Sequence, residues 1–159
     1  MGSHGSPARA EPPDVRVVTD PAEFDLDWVA TALSERAYWA LGRPRDMIVR
    51  SLENSLCYGL FEGPRQVGIA RVVTDGATFG WVCDVFVDEA WRGRGLGGRL
   101  VDAIVADPRL ADVPRLVLAT RDAADLYERH GGFAPLAHPE RFMERDRRHG
   151  APRPPGSVN

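Results

Sequence analysis

The chain has 159 residues, 43% of them hydrophobic and 27% charged, with a formal net charge of −3. That length suits one domain with a proper core, and the slight acidity excludes a mainly electrostatic nucleic-acid binder. No apolar run reaches the length of a membrane-spanning helix, so no membrane partner is expected.

Residues 1–13 read as an unstructured segment, the first six resembling a vector-derived leader. Val15, Val17 and Val18 mark a first strand within residues 14–20. Residues 27–41 carry Val29, Ala32, Leu33, Arg36, Ala37 and Ala40 at helical spacing, with Asp25 or Asp27 as cap and Gly42 as stop. Pro44 suits the first turn of a second helix running to about Asn54. Three strands follow, at 56–62, 66–74 and 78–87, separated by Gly63-Pro64 and by Asp75-Gly76. Turns this short make the meander antiparallel. A helix over 95–106 stops at Pro108, and Leu116, Val117 and Leu118 form a compact strand within 115–120. Residues 122–129 form a short helix broken by Gly131-Gly132, with further strands expected at 133–136 and 141–144. The Arg/Pro-rich tail at 146–159 is expected to be disordered, leaving 14–145 as the single domain.

Cys57 and Cys83 sit in apolar runs and read as buried thiols, which fits a cytoplasmic protein. There is no Cys-x-x-Cys, and His4, His130, His138 and His149 lack ligand spacing, so no metal is expected.

The most informative stretch runs from Asp84-Val-Phe-Val through Arg92-Gly-Arg-Gly-Leu-Gly97 to Leu100. An apolar strand ends, an Arg/Gly loop follows, and an amphipathic helix begins with Leu96, Leu100, Ile104 and Val105 on one face. A helix N-terminus behind a glycine loop offers unpaired N–H groups and a positive dipole end, a site for a phosphate-bearing ligand. The nucleotide P-loop is excluded, since the chain has no lysine.

Arg92-x-x-Gly95-x-Gly97 after a strand resembles the pyrophosphate loop of the GNAT superfamily of acyl-CoA-dependent N-acetyltransferases. The resemblance extends to Tyr127-x-x-x-Gly131 followed by Phe133, with one extra glycine, Gly132, before the Phe. It covers about residues 14–144. Tyr38-Trp-Ala-Leu-Gly-Arg-Pro, Ser55-Leu-Cys-Tyr-Gly-Leu and Asp84-Val-Phe-Val look like a widespread bacterial group of small, stand-alone GNAT proteins. The implied fold is α+β, a mixed and mostly antiparallel sheet flanked by helices.

The resemblance also implies roles. Backbone at Val85, Phe86 and Val87 would hold the pantetheine arm of acetyl-CoA, and N–H groups of Arg92, Gly93, Arg94, Gly95, Leu96 and Gly97 its pyrophosphate. Tyr127 would protonate the departing thiolate, a phenol near 10 against a thiol near 8.5. Asp84 would be the base that deprotonates the amine; read from its own mid-strand, apolar surroundings it is equally half of an ion pair or a backbone-capping Asp at the strand splay. Tyr38, Trp39 and Arg43, with Phe79 and Trp81, would wall the acceptor site; an aromatic wall suits a flat group or a cation, and Arg43 a carboxylate or phosphate. The implied activity is acetyl transfer to the primary amine of a small molecule, with no covalent enzyme intermediate. A non-catalytic acyl-CoA-binding module and an acetyltransferase of protein or peptide amines remain alternatives. GNAT proteins often dimerise, so a homodimer through residues 141–144 is also expected.

Overall fold

The computed structural model describes residues 14–148. The N-terminal segment 1–13 and the tail from 149 lie outside the described residues. The chain runs β1 (Val15–Val18), α1 (Leu26–Thr31), α2 (Arg45–Glu53), β2 (Leu56–Glu62), β3 (Arg65–Thr74), β4 (Gly80–Val87), α3 (Leu96–Val105), β5 (Leu116–Val117) and α4 (Ala124–Gly131). The strands form one sheet in chain order, with β1 to β4 antiparallel and β5 parallel to β4.

Strand alternation feeds a core on each face of the sheet. Cys57 and Phe61 of β2 pack with Val29, Leu33, Ile48 and Leu52 of the first two helices. Tyr58 and Leu60 pack on the other side with Leu96, Leu100 and Ile104 of α3. The structure is therefore three layers, with α1 and α2 on one face and α3 on the other.

In β4 the alternation is deliberately broken. Ile69 pairs with Phe86 and Arg71 with Cys83, so two steps along β3 match three along β4. That one extra residue is a β-bulge, and it lets Val82 enter the α3 core while Phe86 enters the opposite one. Asp84 lies within it at φ 51°, among the described residues the only left-handed backbone outside glycine.

β4 meets β5 only at Gly80–Leu116 and Trp81–Val117. Gly80 permits that approach, since a Cβ there would lie 2.5 Å from a Leu116 methyl. From Val82 to Val87 β4 has no partner on the β5 side among the described residues, so the sheet splays open at the level of the bulge.

Several expected boundaries move. The first helix does not run to residue 41. Capped by Asp25, which accepts from the Trp28 N–H at 3.0 Å, it widens into a π-turn over Ala32–Arg36 and ends there. Gly42 still turns the chain, at φ 75°, with its N–H bonded to the Ser34 carbonyl at 2.8 Å. The strand expected at 115–120 reduces to two residues because β4 diverges. No strand forms at 133–136, where Pro135 supplies no N–H and a cavity of about 530 Å³ separates the segment from the edge of β5. None forms at 141–144 either: the segment lies exposed with no strand beside it, and Met143 is 98% accessible.

Candidate active site

The loop after β4 is built for close approach. Asp88 caps a short turn over Glu89–Trp91, accepting from the Ala90 N–H at 3.0 Å. Gly93 and Gly95 then take φ 79° and 75°, conformations that any side chain would strain. Gly95 is the residue before α3, and among the described residues no side chain caps that helix, so its first-turn N–H groups face outward. They open into a cavity of about 390 Å³ bounded by Val87, the glycine loop and α4.

The arginines of the loop are already placed. Arg92 Nε donates to the Val87 carbonyl at 3.1 Å, and its guanidinium lies 5.4 Å from the Phe86 ring centre. Arg94 stacks over Trp91 at 4.7 Å. Charge is thereby fixed beside the cavity at little further entropic cost. Sequence reasoning missed the α4 side of this cavity, formed by Leu126, Arg129 and His130. The only signal was the position of Arg129-His130 close behind Tyr127.

His130 ties α4 to α3. Its Nδ1 lies 3.2 Å from the Asp102 carboxylate, and its ring rests on Gly98, where a Cβ would come within 2.3 Å of it. Gly98→Ala should therefore force α4 outward, destabilise the fold by about 1–3 kcal/mol and weaken acyl-CoA binding. Thermal unfolding and calorimetric titration with CoA check this; unchanged affinity would remove α4 from the phosphate site.

Side chains expected to wall the acceptor site converge on Asp84. Its carboxylate accepts from Trp39 Nε1 at 2.9 Å through Oδ1, and from Arg43 Nη1 and Arg71 Nε, each at 2.8 Å, through Oδ2. The Asp84 side chain is 1% exposed and that of Arg71 10%. Burial alone would raise this carboxyl, but Arg71 and Arg43 outweigh it and hold the group below the usual carboxylate range. Of the sequence readings of Asp84, the geometry is that of an ion pair. The early end of the first helix makes this possible by freeing Trp39 and Arg43 to turn toward the bulge.

Tyr127 stands near these groups. Burial, then Tyr38 and Cys83, push its phenol up to about 12, so it is fully protonated at neutral pH. Among the described residues its hydroxyl makes no hydrogen bond. Tyr38 meets the Trp39 ring edge-on at 4.9 Å and carries the Arg121 guanidinium 3.8 Å from its centre. Tyr38, Trp39, Arg43, Asp84 and Tyr127 are thus brought together. Phe79 and Trp81 are not: they sit half-exposed toward the Thr74 end of the hairpin, with no ring contact to Tyr38 or Trp39.

The extra glycine is absorbed at the end of α4. Gly132 takes φ 66°, and the Phe133 N–H returns to the Tyr127 carbonyl at 3.2 Å. Gly131 leaves room for the Phe133 ring, which packs edge-on against Tyr127 at 5.9 Å.

Residues 53–131 match the family profile described as an acetyltransferase (GNAT) domain. A Gibberella zeae protein named as a candidate acetyltransferase is 32% identical over 143 residues, spanning 76% of this chain and 79% of its own. The chain belongs to the GNAT acetyltransferase family. A crystal structure of a candidate GNAT-family acetyltransferase from Xanthomonas campestris is 42% identical, with a TM-score of 0.81 over 84% of this chain and 94% of that one. A GNAT acetyltransferase of Elizabethkingia anophelis, solved with acetyl-CoA bound, shares the fold at 15% identity, with a TM-score of 0.57 over 74% of this chain and 75% of its own.

In this GNAT enzyme the profile match takes in β4, the glycine loop and Tyr127, while Tyr38, Trp39 and Arg43 lie outside it. Among the described residues no helix is long and apolar enough to cross a membrane, and no group of three or more His, Cys, Asp or Glu is arranged to hold a metal.

Proposed function

We propose that this acetyltransferase moves the acetyl group of acetyl-CoA directly onto the primary amine of a small molecule, both substrates being bound together. The observation that carries the reading is the junction at β4: a phosphate cradle at its end, an unpaired strand edge, and a buried neutral phenol, Tyr127, near the bulge. Backbone of Arg92–Gly97 would hold the pyrophosphate and that of Val85–Val87 the pantetheine arm, on the side from which β5 has diverged.

The amine lone pair attacks the thioester carbonyl, the C–S bond breaks, and the thiolate of CoA leaves. A phenol at about 12 does not hand its proton outright to a thiolate near 8.5, a wider gap than the unperturbed pair would have. Tyr127 instead donates a hydrogen bond to the sulfur as charge builds there. The proton lost by the amine nitrogen is the one that ends on the sulfur, relayed through the Tyr127 hydroxyl, so CoA leaves as the thiol and the phenol is left as it began. The cysteines take no part as nucleophiles: burial raises Cys57 and pushes Cys83 up to about 11, so neither is a thiolate at neutral pH.

Acetyl-CoA and CoA, but not ATP, should raise the melting temperature. A hundredfold excess over Kd stabilises by about 2.7 kcal/mol, roughly 5–10 °C for a domain of this size. CoA release should then require an amine as well as acetyl-CoA. Indifference to every CoA species would overturn the phosphate assignment.

A further inference from the structure

We propose that the acceptor amine also carries a carboxylate, and that Arg43 is the residue that receives it. The inference rests on the transferase reading and extends it to the substrate class.

It follows from an imbalance of charge at the bulge. One anion, Asp84, faces two cations, Arg43 and Arg71. Arg71 is turned inward and only 10% exposed: Nε is on Asp84, and Nη1 donates to the Ser51 carbonyl at 3.3 Å and the Ser55 hydroxyl at 3.1 Å. Arg43 is not. Only its Nη1 is engaged, its Nε and Nη2 have no hydrogen bond among the described residues, and its side chain is 21% exposed.

The neighbouring groups do not cancel the surplus. Tyr127 and Cys83 are neutral at physiological pH. Arg121, clasped over Tyr38, has Asp122 at 3.8 Å. The site therefore holds one net positive charge, on a planar guanidinium with a free bidentate edge, which matches a single carboxylate in charge and shape. A phosphate monoester carries about −1.5 to −2 at neutral pH and would overshoot, and an amine without an anion leaves the surplus unanswered. Trp39 and Tyr38 beside Arg43 leave an apolar wall for the rest of the molecule.

The test compares acceptors that differ only in that group: phenylalanine with phenethylamine, tryptophan with tryptamine, and alanine with ethylamine, plus O-phosphoethanolamine for the phosphate. CoA release is followed at saturating acetyl-CoA. The carboxylate-bearing member should have at least tenfold higher kcat/KM. Arg43→Gln should erase that preference through KM, and Arg43→Lys should keep part of it. Unchanged acetyl-CoA affinity shows that both variants are folded. Equal or better turnover of the decarboxylated amines overturns the proposal alone, as does a preference for O-phosphoethanolamine or an equal loss on both members in Arg43→Gln. Acetyl-CoA binding without release from any acceptor overturns it too. Absence of acetyl-CoA binding overturns the transferase reading and this inference with it.

Discussion

Replacing Tyr127 by Phe should lower kcat about 100-fold and leave acetyl-CoA affinity within twofold of wild type. The phenol is 9% exposed, so removing one oxygen changes neither the helix nor the edge-on contact with Phe133. Under the proposed role, what disappears is a hydrogen-bond donor to the charge developing on the sulfur, and one such group is worth roughly 2.7–4 kcal/mol. The pH profile gives a second reading. Burial disfavours the phenolate, so the proton stays on Tyr127 until pH approaches about 12. The wild-type rate should therefore show no alkaline decline traceable to this residue below about pH 11. Stopped-flow thiol detection separates the chemical step from product release. A Phe variant with unaltered single-turnover rate would remove Tyr127 from the chemistry.

The second large effect concerns Asp84. Asp84→Asn keeps the side-chain shape and tolerates the left-handed backbone at φ 51°, so it isolates the charge. The amide can keep its oxygen on Arg71 and Arg43 only by turning its own N–H donors against Trp39 Nε1–H, and it leaves a buried guanidinium without its counter-charge, a loss of about 3–5 kcal/mol. The melting temperature should fall by roughly 6–20 °C. Asp84→Ala should cost more, since backbone strain adds to it. The sign with pH follows from the depressed folded-state carboxyl. The stabilisation is present above the unfolded value near 3.9 and is lost as pH falls through the lower folded value, so wild type and Asn variant should converge in strong acid. The same geometry separates ion pair from base. A base at Asp84 would be missed as a lost pH-dependent limb near neutrality, whereas a carboxylate held ionised by two arginines titrates below that range. A wild-type limb near pH 6–7 that vanishes in the Asn variant would restore the base.

Much of this was legible in the sequence where local chemistry decides. β2 falls at Leu56–Glu62 as read, because Gly63-Pro64 and the apolar alternation fix both ends. The glycine loop is equally plain, since only glycine takes the two positive φ angles before α3. Tertiary partners decide the rest. Nothing in Phe133–Leu136 says that the edge of β5 is too far to pair. Nothing in Ser34–Arg36 says that the helix will widen and stop, so that Trp39 and Arg43 can reach a carboxylate more than forty residues away. The bulge at Asp84 is invisible for the same reason: it is a mismatch between two strands, and a single strand has no mismatch to show.

That mismatch also limits how this enzyme can change. Deleting one residue between Val82 and Phe86 would straighten the ladder, and it would also turn one of those side chains from its own core toward the wrong layer. Inserting one would do the same. Length variation, so well tolerated in the surface turns of this fold, is closed to this stretch of β4, and under the proposed acceptor site new specificities would come by substitution on the Tyr38–Arg43 turn.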